Sequence, residues 1–365
     1  MLVAAAVLLA SGALAGGRDE EVRGKVLFLR TEQRGGSVTR TMVAVDVATR
    51  EERDVVRLPR LLRPGSWSPD FRRLALVAAC VGGPGHGCQT TGPLYLYDVG
   101  TVRLRRVLRV SASVAAWSPT GRWIAVAGRL GDRSGIVLVD PRGRTRPRLI
   151  VRGGTPLDLY WSPDSSKILY GWVDRKTPHI CCGLKYVVDL HTGRHRLVVN
   201  KGTAQGVDAL WAPDGRQIAY SVYGSAWGKA GLWVANSDGT RPSQMTPFPD
   251  ELLAWSPDGL ALALSRHPFK GEQGPTELIL IGLGGMPTFA TNVGSATWSP
   301  DSQWIVYSKT EPTGTHLYLA AADRRETKQL TFGPASIKDS LPQWVPSVPT
   351  ALGQSARKTQ RPAAR

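Results

Sequence analysis

Four carboxylates stand where this sequence could bind or polarise a ligand: Asp158, Asp208, Glu251 and Asp339, with Asp250 next to Glu251. Asp158 and Asp208 each lie three residues ahead of a tryptophan, Trp161 and Trp211, so one recurring piece of structure carries both to equivalent places. Carboxylates gathered in a basic protein can hold a cation or the amine of a ligand; taken singly, each would only accept backbone N–H groups. A second set is aromatic. Trp172, Tyr223 and Trp227 offer flat faces on which a sugar or a peptide stacks, whereas packed inward they would form loop cores.

The remaining reactive side chains are thiols and imidazoles. Cys80 and Cys88 flank Val-Gly-Gly-Pro-Gly-His-Gly, a loop flexible enough to close, so these two are expected to form a disulfide. That leaves Cys181 with Cys182, a strained vicinal pair, because adjacent Cα atoms are only ~3.8 Å apart while bridged ones prefer about 4.4 to 6.8 Å. The alternative, a metal held by these thiols with His86 or His179, matches no standard zinc spacing. His191 and His195 fall on one hairpin, and His267 and His316 on other segments. No catalytic set, cofactor or metal site is assigned from these residues.

What must position these side chains is a tandem repeat. Trp211-Ala-Pro-Asp-Gly215, followed by Arg216-Gln-Ile-Ala-Tyr220, has close copies starting at Trp67, Trp117, Trp161, Trp255 and Trp298, and a degenerate one at Trp344. The steps from tryptophan to tryptophan are 50, 44, 50, 44, 43 and 46 residues. Four strands with their turns consume a period of this size, as in a propeller blade. Between the tryptophans runs a second repeat of β-rich segments that end in turns, such as Leu94–Asp98, Ile136–Asp140 and Leu232–Asn236. Each unit then reads as a first strand ending at the tryptophan, a Ser-Pro-Asp-Gly turn, a second strand, and a hairpin of two more.

Both features have a physical cause. Proline presets φ near −65° in the turn, and glycine at its last position supplies the left-handed conformation of a three-residue hairpin loop. Phe71, Ser165 and Ser302 replace that glycine, so strain is expected there. A buried indole removes ~150 to 250 Å² from water and fills the wedge between neighbouring sheets.

The fold class expected is all-β: a seven-bladed β-propeller of four-stranded antiparallel blades spanning 24–346. The N-terminal second, third and fourth strands are completed by a C-terminal first strand, which removes two sheet edges. Met1–Ala15 is apolar, uncharged and ends in Ala-Leu-Ala, as a cleaved signal peptide does, although no basic n-region precedes it. The stretch 347–365 reads as a disordered basic tail. No apolar run reaches the ~20 residues of a membrane-spanning helix.

The formal net charge is +17. Many arginines fall on outermost strands, as in Arg103, Arg105, Arg106 and Arg109 or Arg142, Arg144, Arg146 and Arg148, where charge blocks pairing of exposed edges. No aromatic-basic interleaving of a nucleic-acid reader is present, so nucleic acid is not an expected partner.

The Trp-Ser-Pro-Asp-Gly-x-x-Ile-Ala-Tyr stretches resemble the PD40, or WD40-like, repeat of TolB-type β-propellers, from Lys25 to Pro346. That resemblance implies a protein-interaction module of the periplasm. TolB's own propeller has six blades, so a count of seven departs from it. Similar repeats occur in propellers of prolyl-oligopeptidase-like peptidases, yet no G-x-S-x-G nucleophile elbow follows here.

On a propeller the tryptophan turns share one face, and the longer loops Cys80–Thr91, Trp172–Lys185, Val222–Gly231 and His267–Pro275 share the other. Function is expected on that second face, with the carboxylates at the channel mouth. The expectation is an exported, monomeric, non-catalytic binding module of the cell envelope, its partner an envelope protein or a cell-surface polymer. The alternative is a metal-dependent carbohydrate-active enzyme, lyase or hydrolase, at the same mouth.

Overall fold

A computed structural model describes residues 22–59, 62–78, 91–173, 184–199, 207–222, 230–248, 250–268, 274–282 and 288–345. The chain is all-β: strands and turns account for its regular structure, with no helix among the described residues. Cys80, Cys88, Cys181, Cys182, Tyr223 and Trp227, the leader Met1–Ala15 and the stretch 347–365 lie outside the described residues.

One unit shows the rule. Val207–Trp211, Gln217–Val222, Gly231–Asn236 and Ser243–Thr246 form a four-stranded antiparallel sheet in chain order. Thr155–Trp161 begins a second such sheet and Glu251–Trp255 a third. Elsewhere units merge. Arg103–Trp117 is a single strand: its first half pairs with Gly92–Asp98 as the outer strand of one unit, and its second half pairs with Ile124–Leu130 as the first strand of the next.

At the ends of the chain, Ile337–Val345 pairs antiparallel with Lys25–Arg34, placing Trp344 opposite Val26. Ser37–Asp46 and Glu52–Arg57 follow in that sheet, which on its other side takes in Val293–Trp298, Trp304–Glu311 and Gly314–Ala321. The C-terminal strand thus sits first beside three N-terminal strands, as the arrangement of the repeats requires.

Middle strands are apolar on both faces because each sheet is covered by its neighbours. Ile124, Ala125, Val126 and Ala127 are all fully buried, as are Ile305 and Val306. The tryptophans fill the wedges. Trp161 Nε1 donates to the carbonyl of Ala116 at 2.9 Å and Trp211 Nε1 to that of Tyr160 at 3.1 Å, so each indole is hydrogen-bonded to the preceding unit. Trp255 differs, donating to Gly259 O in its own turn at 3.0 Å.

The turns keep one conformation whatever residue ends them. Gly121, Gly215 and Gly259 have φ of 68°, 71° and 76°, while Phe71, Ser165 and Ser302 have 53°, 61° and 61°. The two serines have a compensating contact: Ser165 Oγ accepts from Thr120 N at 3.1 Å, and Ser302 Oγ from Asp258 N at 3.0 Å, each across a unit boundary. Phe71 has its own, packing 6.4 Å from the ring of Trp67.

Candidate functional site

The first strands of successive units lie side by side, from Leu62–Trp67 through Thr155–Trp161, Val207–Trp211 and Glu251–Trp255 to Ile337–Val345. Register then decides which side chains share a level. Asp208 lies opposite Ser221 and Glu251 opposite Ser265. Asp158 sits in an irregularity between Pro156 and Leu159 and accepts from Gly171 N at 2.6 Å, which brings it to the same rung. Three consecutive units therefore each present one acid there.

Tyr160 is acted on by the charges of all three. Its phenol is held well above the ordinary tyrosine range, first by burial and then by the charges of Asp158, Asp208 and Glu251, so it stays protonated and able to donate. Lys185, fully buried, reaches Asp158 Oδ2 and places its Nζ 5.9 Å from the Tyr160 ring centre. Gly171 makes this possible: a Cβ there would lie 2.9 Å from Asp158 Oδ1 and 3.2 Å from Lys185 Nζ. Glu251 stays open to solvent, with His267 Nε2 at 3.3 Å.

The other acids are used differently. Asp339 is completely buried and accepts from Arg30 Nε at 2.7 Å and Nη2 at 2.8 Å, and the same guanidinium reaches Glu52. Burial alone would lower the Arg30 pKa, but the two carboxylates hold it above its usual value. Asp250 is likewise clamped by Arg266, at 2.8 and 2.7 Å, which also lies 4.2 Å over the Phe248 ring. These pairs tie a first strand to the second strand of its own sheet. Asp158, Asp208 and Glu251 are thus brought together, while Asp339 and Asp250 each sit in an arginine clamp.

Trp172 packs edge-on against Tyr170, ring centres 6.0 Å apart, as part of a hydrophobic cluster. On the same rung as the acids, two units before Asp158, lies Arg63, opposite Val77. Its Nη2 donates to Ser113 O, its Nε is buried without a partner among the described residues, and burial lowers its pKa. At the tryptophan ends of the first strands an open apolar groove of 580 Å³ runs past Trp117, Trp161, Trp211 and their prolines. Among the described residues no three His, Cys, Asp or Glu side chains are grouped to hold a metal ion, and no helix is long and apolar enough to cross a membrane.

Sequence reading missed Tyr160, Lys185 and Arg63. The signal for Lys185 is a charge at the head of an apolar strand, Leu184–Asp189, and for Arg63 it is a place ahead of Trp67 that matches the place of Glu251 ahead of Trp255.

The likenesses to known proteins concern the fold. No protein-family model matches the chain. An uncharacterised protein of Agrobacterium fabrum (strain C58) is 25% identical over 309 residues, covering 76% of this chain and 94% of that one. Among solved structures, an oligogalacturonate lyase in complex with manganese is similar with a TM-score of 0.57 at 15% identity, over 84% of this chain and 85% of that one. The β-propeller domain of the Trilobed protease from Pyrococcus furiosus gives 0.51 at 15% identity, over 74% and 84%. TolB from Acinetobacter baumannii is also similar, with 0.48 at 17% identity over 89% and 83%. The fold is that of a β-propeller.

Proposed function

We propose that this chain is an exported, seven-bladed β-propeller, closed by its C-terminal first strand, that serves as a non-catalytic binding module at the cell envelope. Its ligand presents a cationic group, a protonated amine or guanidinium, to the channel mouth. The observation that carries this reading is the placing of Asp158, Asp208 and Glu251 on one rung of three consecutive first strands, where their charges together act on the Tyr160 phenol. Lys185 pairs with Asp158, and Glu251 keeps a side chain open to solvent. Acids set on paired strands are held in place before the ligand arrives, which lowers the ordering cost of binding.

The second reading, a metal-dependent carbohydrate-active enzyme at the same mouth, draws on fold likeness alone, and one propeller scaffold hosts many activities. The binding reading rests on side chains. Isothermal titration of trilysine into the purified chain tests it: the wild type binds, and the Asp208→Asn/Glu251→Gln double variant binds at least about tenfold more weakly, a change of ~1.4 kcal/mol. Equal affinity for both proteins would remove the ligand from this mouth.

A further inference from the structure

From Arg103 to Arg152 the chain carries twelve arginines, no lysine, no glutamate and two aspartates, Asp132 and Asp140, a balance of +10 in a chain of formal charge +17. All twelve are exposed. The fold gathers many of them on one wall. Arg103, Arg105 and Arg106 lie on the outer strand of one unit; Arg142, Arg146 and Arg148 lie on the last turn and outer strand of the next. Arg105 Nη2 joins the two by donating to Pro141 O at 2.9 Å.

These charges have little to offset them. Among the described residues, Arg144 is the one member of the twelve in an ion pair, 3.8 Å from Asp140. Outer arginines elsewhere meet acids, as Arg196 does with Asp238 at 3.3 Å and Arg325 with Asp323 at 3.6 Å. One or two charges protect an edge strand from pairing, whereas a dense field of one sign destabilises a compact chain by self-repulsion. Such a field is useful when an anion of matching length lies on it.

We propose that this arginine wall binds a linear phosphodiester-type polyanion through its phosphates. The guanidinium fork matches phosphate bidentately. Arg103 and Arg105, two residues apart on a strand, are spaced by about 6.7 Å, close to the step between successive phosphates of an extended phosphodiester chain. Bases are not read. The indole available for stacking, Trp123, is already engaged by Arg122 at 5.6 Å and Arg148 at 5.4 Å. The wall is separate from the carboxylate rung and stands or falls independently of it.

The test is fluorescence polarisation of the full chain with a labelled abasic deoxyribose-phosphate oligomer across a salt series. With about five phosphates neutralised, affinity falls roughly a hundredfold between about 50 and 200 mM salt. Replacing Arg103, Arg106, Arg142 and Arg146 by glutamine should weaken binding at least about tenfold and flatten the salt slope by about 3. Replacing Arg194, Arg196, Arg241 and Arg325 removes the same charge elsewhere and should leave affinity within about twofold. Equal loss in both variants would reduce the effect to net charge and overturn the wall. So would tighter binding of oligothymidylate than of the abasic oligomer, equal binding of polyglutamate, or no binding of the abasic oligomer at all.

Discussion

Lys185 shows how the candidate site is held. A fully buried ammonium is costly unless paired, and Asp158 supplies the pair from a strand 27 residues earlier. Lys185→Met should therefore lower stability by about 2–4 kcal/mol in urea unfolding, since it strands Asp158 against Tyr160. Adding Asp158→Asn to that variant should recover part of the loss; a double variant no more stable than the single would mean the pair is not coupled. Neither partner announced the other in the sequence. Asp158 was legible through its fixed distance from Trp161, but Lys185 looked like an ordinary residue of a hairpin strand. Asp339 was legible as an acid, while the arginine that holds it lies 309 residues away. Spacing reveals equivalence between repeats, not contact between strands of one sheet.

The turn is the element in which sequence and structure correspond most closely. Its serine hydroxyl donates to the aspartate, as Ser68 does to Asp70 and Ser162 to Asp164, both at 2.6 Å. The aspartate accepts a backbone N–H just beyond the turn, at 3.0 Å from Ser166 N. The expected strain at Phe71, Ser165 and Ser302 is present as positive φ, but the hydroxyls of Ser165 and Ser302 turned it into contacts between units, which composition alone could not show. The carboxyl of Asp164 is lowered from 3.8 to about 2, chiefly by the Ser162 hydroxyl and further by the N–H and hydroxyl of Ser166. A depressed carboxylate contributes stability above its unfolded value and loses it as pH falls through its folded one. Asp164→Asn should thus lower the thermal midpoint at pH 6 by a small margin, under about 1 kcal/mol because the group is largely exposed. That margin should shrink as pH drops from about 4 to about 2, and one constant across this range would contradict the assignment.

At the scale of the molecule, repeated turns and tryptophans set a series of sheets whose first strands lie next to one another, and this series carries the acids to one rung. The β-propeller was legible because its period, its turn chemistry and its terminal strands all agree. The site was legible in part. Register and burial, rather than residue type, separate Asp158, Asp208 and Glu251 from the clamped Asp250 and Asp339. Rigid strands that offer carboxylates at one end and an apolar groove of tryptophans and prolines at the other give two faces on which a ligand could sit. Hydrogen exchange of the full chain with and without trilysine distinguishes them directly. Slowed exchange confined to Thr155–Trp161, Val207–Trp211 and Glu251–Trp255, and lost in the Asp208→Asn/Glu251→Gln variant, is the expected result. Protection at the tryptophan turns instead, or none in these three strands, would contradict a cation-binding mouth.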